Sequence, residues 1–202
     1  MWATTRTLYA GSADREPPMS LVFTICETFR PAESSVADRV CELLDGLDLA
    51  IPYTTRPPRS AEESGFVFTS QDVFERLIAG QEFLEYVDIF GNYYGTPRHY
   101  VQEAQDKGND LLIKVDERGV EQIKEKLPDA VSILVLHTSS GQHEHATASI
   151  VDELLLYRLH QASRTSQMKH PDKFDHVVAN DRLEENANQV VAIIRSKRSP
   201  QS

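Results

Sequence analysis

The sequence lacks the features that mark several broad classes of protein. Only two of its 202 residues are cysteine, Cys26 and Cys41, and they form neither a disulfide framework nor a metal-site spacing, so a reduced, cytoplasmic setting is expected. No apolar run approaches the ~20 residues that cross a bilayer, and the N-terminus has no signal-peptide core. The net charge of −10 disfavours a general nucleic-acid surface. We therefore expect a protein that binds neither nucleic acid nor membranes.

Short apolar runs alternate with amphipathic segments along the chain. Runs that predict buried strands occur at 21–25, 49–53, 110–115 and 131–136. The segments between them have helical periodicity, and one helix is expected to begin with Thr96 as N-cap and Pro97 as first residue. Strands that alternate with helices predict an α/β domain with a parallel sheet covered on both faces.

Residues 53–59, YTTRPPR, place two threonine hydroxyls and two guanidinium groups in seven residues of an acidic chain. Each guanidinium is a planar fork of donors that matches a phosphate or carboxylate edge. Pro57 and Pro58 restrict the backbone, so Arg56 and Arg59 are expected to leave a stiffened loop. The segment indicates an oxyanion-binding loop; the alternative is a solvated turn with surface arginines.

Two further motifs follow this loop, FLE at 83–85 and GNYYGT at 91–96. The order TTRxPR, FLE, GNYYGT resembles the nucleoside-monophosphate-binding half of guanylate kinases, and the resemblance runs roughly from residue 21 to residue 194. It implies a P-loop-kinase-like α/β fold, in which a parallel sheet flanked by helices carries a small mixed subdomain that binds the nucleoside monophosphate.

The resemblance also predicts the domain boundaries. Residues 1–18 are expected to be a flexible N-terminal tail, and 19–198 a single guanylate kinase-like domain. Within it, the nucleoside-monophosphate-binding subdomain would span about 53–97 and a lid about 137–150. Family members carry several arginines in the lid, whereas this segment has neither Arg nor Lys.

The phosphate end of the predicted acceptor site is taken over from the family residue by residue. Arg56 and Arg59 would grip the monophosphate, and Tyr94 would add a phenolic hydrogen bond. Arg158 matches an arginine of the family pattern and would face the phosphate region; a surface salt bridge is the alternative for it. Phe66 stands where a second phosphate-binding tyrosine is expected.

The base end of the site rests on three residues. Glu85 would accept hydrogen bonds from the guanine N1–H and 2-amino group, since a carboxylate offers two acceptors to these two donors. Thr96 would reach the base from beside Tyr94, and Asp116 from the end of the third predicted core strand. Pro52 replaces a serine that contacts the guanine carbonyl in family members, which weakens the expected discrimination between bases.

The loop after the first predicted strand departs furthest from the family. Family members have a glycine-rich loop whose amides wrap the ATP phosphates, with a lysine between them. Here the loop is 26–35, and ungapped alignment puts Ala32 on that lysine and Glu33 on the Mg²⁺-binding hydroxyl. There is no glycine in 12–45 and no lysine before Lys107, so no shift of the alignment supplies either group.

Charge near this loop has two expected effects. Glu27 and Glu33 would bring negative charge toward a polyphosphate, and such contacts cost about 4 kcal/mol per pair at ~4 Å and an effective dielectric constant of ~20. Lys114 replaces an acidic residue of the family at a strand end, where it could give a phosphate an alternative partner.

An intact acceptor half beside a changed donor loop predicts a degenerate guanylate kinase without the ATP-binding P-loop. Such a protein would bind GMP or a phosphorylated ligand, including a phosphopeptide, without phosphotransfer, cofactor or metal. In this it is similar to the membrane-associated guanylate kinase-like scaffold proteins. The alternative is an active guanylate kinase, ATP + GMP giving ADP + GDP, with Mg·ATP in an atypical donor site. A remnant with no ligand is a third possibility.

Overall fold

A computed structural model describes residues 20–27, 35–61, 63–136 and 171–198, which form two β-sheets and the helices packed on them. The strands are β1 (Val22–Glu27), β2 (Leu47–Leu49), β3 (Tyr53–Thr54), β4 (Val67–Phe68), β5 (Phe83–Ile89), β6 (Asn92–Pro97), β7 (Asp110–Lys114), β8 (Val131–Leu136) and β9 (His176–Ala179). The α-helices are α1 (Val36–Leu43), α2 (Gln71–Ala79), α3 (His99–Lys107), α4 (Glu117–Lys126) and α5 (Leu183–Arg198).

The larger sheet has five strands in the order β2-β7-β1-β8-β9, and every pairing in it is parallel. Its strands are apolar on both faces because helices cover both. One face packs Phe23 and Ile25 against α1 and α5, and the other packs Leu111 and Ile113 beside Ile123 of α4. The predicted parallel sheet flanked by helices is confirmed.

The smaller sheet has four strands in the order β4-β3-β6-β5. β3 pairs with β4 in parallel, while β6 is antiparallel to both β3 and β5, so the sheet is mixed, as the sequence predicts. A tight turn joins β5 to β6, with Phe90 at φ 52° and Gly91 at φ 82°. Two successive residues with positive φ match the twist of a hairpin, which explains why a glycine starts the GNYYGT motif.

The single strand expected over 49–53 is wrong, because the chain changes sheets there. The amide of Ala50 still donates to Leu112 O of the larger sheet at 2.9 Å. Three residues later Tyr53 pairs with Gly95 of the smaller sheet. The apolar run therefore contains the end of one strand and the start of another, and periodicity alone does not separate them.

The helix start predicted at Thr96 and Pro97 is also wrong. Both residues belong to β6, where Thr96 pairs with Glu85 across the sheet. α3 begins at His99 with Arg98 at the N-cap position and no side-chain cap. Strand pairing has overridden a capping preference that is worth only about 1 kcal/mol.

No helix among the described residues has the length and apolar character to cross a membrane. The predicted tail at 1–18 and the predicted lid at 137–150 lie outside the described residues. The subdomain boundaries stay predictions.

Asp175 ties the edge strand β9 to the rest of the larger sheet. Its Oδ2 accepts hydrogen bonds from Ser132 N at 2.7 Å, Ser132 Oγ at 2.9 Å and Lys124 Nζ at 2.7 Å. Burial alone would raise the pKa of Asp175, but the hydrogen bonds from Lys124 and Ser132 outweigh it and lower that pKa to about 2. The ionised carboxylate therefore stabilises the native state.

We expect Asp175→Asn to lower the melting temperature at pH 7 by about 2–4 °C. A carboxyl group with a lowered native pKa contributes stability above its unfolded pKa and loses it as the pH falls through the native value. The difference from wild type should therefore shrink between pH 4 and pH 2, which thermal unfolding across that range measures. Asp129→Asn, at an exposed position, is the control. An equal loss at every pH would contradict this role.

Candidate functional site

The arginine loop holds one guanidinium in a fixed position. Arg56 is only 9% exposed, and its Cζ lies 5.6 Å and 5.4 Å from the ring centroids of Phe66 and Phe68. Its Nη1 and Nη2 donate to the carboxylate of Glu63 at 3.3 Å and 2.7 Å. The hydrogen bond to Glu63 raises the pKa of Arg56 above its usual value despite burial, and Tyr94 adds to the rise. Arg56 is buried, ion-paired and stacked on aromatic rings, so the alternative of a solvated turn with a surface arginine is disfavoured at this position.

Glu63 is a residue that sequence reasoning missed. Besides binding Arg56, its Oε2 accepts from the backbone N of Arg59 at 2.6 Å and so closes the loop between the two arginines. The Arg56 hydrogen bond lowers the pKa of Glu63, which keeps the carboxylate ionised. An acid four residues after Arg59, in a loop rich in Arg and Pro, was the available signal.

Phe66 takes a different role from the tyrosine expected in its place. It has no hydroxyl to offer a phosphate, but its ring lies over Arg56 and makes an edge contact with Tyr94, with ring centroids 6.0 Å apart. Cation–π contacts of this kind favour a fixed guanidinium. Phe66 thus packs between Arg56 and Tyr94.

Four of the predicted site residues line one face of the smaller sheet. Glu85 pairs directly with Thr96 across β5 and β6, and Tyr94 is two residues before Thr96, so the three side chains share a face. Tyr94 lies opposite Thr54 of β3, two residues before Arg56. The order along the face is therefore Glu85 and Thr96, then Tyr94, then Arg56. Arg59 lies at the exposed rim of the loop.

Glu85 lies at the buried end of this face and is 7% exposed. Burial raises the pKa of Glu85 to about 7; hydrogen bonds from Thr96 oppose the rise and the charge of Asp116 adds to it. The carboxyl group is consequently poised between its two protonation states near neutral pH.

Asp116 lies where β7 leads into α4. Its Oδ1 accepts from Gly119 N at 2.9 Å and caps α4. Asp116 also lies close enough to Glu85 for its charge to raise the pKa of Glu85. Its Oδ1 is already hydrogen-bonded to the helix.

Glu27 binds the first turn of α1. Its two carboxylate oxygens accept from Val36 N at 3.1 Å and Ala37 N at 3.0 Å, at the start of α1. The first amides of a helix have no partners within the helix and attract negative charge. The carboxylate of Glu27 therefore occupies two of the first amides of α1.

Lys114 ends β7 beside the start of α1. Its Nζ lies 3.4 Å from Ser35 Oγ and 3.5 Å from Asp38 Oδ2, and its side chain is 38% exposed. β7 pairs with β1 in the parallel sheet, so Lys114 lies at the carboxyl edge of the strands, where α/β folds bind ligands. Residues 28–34 of the loop, the lid and Arg158 lie outside the described residues.

Comparison with known proteins places this arrangement in a family. The model of the guanylate kinase family matches residues 42–197. A guanylate kinase of Koribacter versatilis is 33% identical over 185 residues, covering 88% of this chain and 78% of the relative. A guanylate kinase of Aliivibrio fischeri is 36% identical over 160 residues, covering 77% and 76%. The crystal structure of a guanylate kinase from Anaplasma phagocytophilum superposes with a TM-score of 0.68 at 24% identity, covering 91% and 88%, and supports the fold.

These relatives correct the hypothesis of a binding module without phosphotransfer. Proteins named guanylate kinase are 30–36% identical to this chain over most of its length, which favours the alternative of an ordinary guanylate kinase. The sequence argument rested on the 26–35 loop and on a lid without Arg or Lys, and residues 28–34 and the lid lie outside the described residues. The chain belongs to the guanylate kinase family.

Proposed function

We propose that the chain is a guanylate kinase that transfers the γ-phosphoryl group of Mg·ATP to GMP. The observation that carries the proposal is the order of side chains along one face of the smaller sheet, with Glu85 and Thr96 at a base end and Tyr94 and Arg56 at a phosphate end. The relatives named guanylate kinase support the same activity.

At the base end, the ionised carboxylate of Glu85 accepts from guanine N1–H and the 2-amino group. Adenine has no donor at either position and would leave the buried carboxylate unpaired, which a hydrogen-bonding site rejects strongly. Thr96 donates to Glu85 and orients it. Selection of GMP over AMP follows from this pair.

At the phosphate end, Arg56, Arg59 and Tyr94 hold the GMP phosphate. One of its oxygens attacks the γ-phosphorus of ATP, and the bond from that phosphorus to the β,γ-bridging oxygen breaks, with its electron pair leaving on ADP. The protein's part is to position the two phosphates and to stabilise the transferring charge. Glu63 fixes Arg56 for this purpose.

The donor site we propose is atypical. The 26–35 segment offers no lysine to the ATP phosphates, and Lys114 at the edge of β7 supplies positive charge in its place. Its contacts to Ser35 and Asp38 are 3.4–3.5 Å long and partly exposed, so they do not hold it tightly. Mg²⁺ arrives with ATP and takes most of its ligands from phosphate oxygens and water.

GMP and Mg·ATP are therefore the proposed partners. A phosphopeptide receives no support from the relatives, and a cytoplasmic setting stays a prediction from the sequence.

Arg56→Lys should lower kcat/KM for GMP by about 10- to 100-fold, because it removes the planar fork that binds a phosphate through two hydrogen bonds. A coupled assay of ADP release with Mg·ATP and GMP measures this. Arg76→Lys, on the exposed surface of α2, is the matched control and should leave the rate unchanged. Wild-type protein without GMP-dependent turnover at high enzyme concentration would refute the proposed function.

Lys114→Met should raise KM for ATP or lower kcat by at least about tenfold, with KM for GMP unchanged, because a cation near the transferring group acts on the donor side. Lys107→Met, an exposed lysine at the end of α3, controls for loss of one charge. Unchanged ATP kinetics in Lys114→Met would remove Lys114 from the donor site.

The pKa of Glu85 predicts a pH dependence of GMP use. Only the ionised form accepts both guanine donors, and at pH 6 a group with a pKa of about 7 is roughly one-tenth ionised. KM for GMP should therefore be about tenfold higher at pH 6 than on a plateau above pH 8. Glu85→Gln should bind GMP weakly and lose this dependence, while titration of the GMP phosphate persists in both proteins. The same profile in wild type and variant would exclude Glu85 as its source.

A further inference from the structure

The helix α4 contacts β5 at the strand segment that carries Glu85. Gln122 pairs its side-chain amide with the backbone of Tyr86: Tyr86 N donates to Gln122 Oε1 at 3.2 Å, and Gln122 Nε2 donates to Tyr86 O at 3.1 Å. β5 is the outer strand of the smaller sheet. The amide of Gln122 thus makes the two hydrogen bonds that a neighbouring strand would make, at the residue next to Glu85.

Lys126 makes a second contact on the other side of Glu85. Its Nζ donates to Phe83 O at 3.0 Å and to Leu84 O at 2.7 Å. The pairing of β5 with β6 shifts register between Phe83 and Glu85, so the ladder is irregular at this point. Lys126 therefore stabilises β5 at the point where its pairing with β6 is irregular.

Gly119 completes the same face of α4, since Gly119, Gln122 and Lys126 are three and four residues apart. A Cβ on Gly119 would lie 2.8 Å from Val115 Cβ and 3.4 Å from Glu85 Cγ. The absence of a side chain lets the start of α4 pack directly against Glu85. The other side of α4 is anchored, because Val120 and Ile123 are buried against the larger sheet.

We propose that Gln122 and Lys126 are positioning residues that hold Glu85 for recognition of guanine. They clamp the backbone on both sides of Glu85 to a helix that is fixed on the larger sheet. Neither residue touches the ligand, and both set affinity and base selectivity through Glu85. The inference rests on the proposed function, since it takes Glu85 as the residue that reads the base.

Gln122→Ala and Lys126→Met should each raise KM for GMP by about tenfold and leave kcat and KM for ATP nearly unchanged. Both substitutions should also reduce the discrimination between GMP and AMP. Lys126→Arg keeps a cation that can donate to both carbonyls and should restore much of the affinity. Glu125→Ala, on the exposed side of the same helix, is the matched control and should behave as wild type.

Combination with Glu85→Gln separates positioning from a structural role. If Gln122 and Lys126 act through Glu85, their substitution in the Glu85→Gln protein should cause little further loss of GMP affinity, as calorimetric titration with GMP measures. Melting temperatures of all variants report loss of fold. A lower melting temperature with unchanged KM for GMP, or the same loss of affinity with and without Glu85, would overturn the positioning role.

The two proposals fail in different ways. Wild-type protein that neither binds nor phosphorylates GMP contradicts the proposed function, and the positioning role with it. Normal wild-type kinetics with normal GMP use by both α4 variants contradict the positioning role alone.

Discussion

The antiparallel pairing of β5 with β6 is the constraint on which the candidate site depends. It puts Glu85 opposite Thr96 and leaves Tyr94 on the same face. A slip of one residue would turn all of these side chains to the other face of the sheet. Gly95 allows β5 and β6 to pack this closely, because a Cβ there would come within 2.8 Å of Glu85 O and of Tyr86 Cβ. The second glycine of the GNYYGT motif is thus explained by strand packing alone.

The two sheets differ in composition, and α4 contacts both of them. The larger sheet is buried on both faces and supplies most of the apolar core. The smaller sheet carries the polar side chains of the candidate site, with Glu85 on β5 and with Tyr94 and Thr96 on β6. Asp116 begins α4 and lies near Glu85, and the same helix holds the backbone of β5. The backbone beside Glu85 is therefore held by a helix that packs on the larger sheet.

The charged groups near the candidate site are paired locally, although the chain as a whole is acidic. With a net charge of −10, the molecule as a whole repels a nucleotide. Arg56 places a positive charge at the candidate site, where Glu63, Phe66 and Phe68 hold its guanidinium in a fixed position. Glu27 is drawn onto the amides of α1, so its charge faces the helix. Net charge thus says little about a pocket whose own charges are paired.

Errors in the sequence-based predictions share a physical origin. Thr96 has the preference of an N-cap, yet strand pairing with Glu85 outweighs it. The apolar run at 49–53 is divided between two sheets, which no local pattern records. Gln122 and Lys126 contact the backbone of β5, which is about 40 residues away in sequence, and no local pattern records such contacts. Glu63 lies in the same loop as Arg56, but their pairing depends on how that loop folds. The hypothesis of lost phosphotransfer was wrong: it was inferred from residue types in the donor loop and the lid, and the relatives named guanylate kinase contradict it.

The sequence by itself determined the α/β class, the parallel sheet and the family, because hydrophobic periodicity and ordered motifs are properties of the chain that need no partner in space. Tertiary structure alone decided which carboxylate holds Arg56, how far burial raises the pKa of Glu85 and where Glu27 directs its charge. Those outcomes depend on how the chain folds: Glu63 meets Arg56 within one loop, Glu27 meets the start of α1, and the burial of Glu85 requires β5, β6 and α4 to pack together.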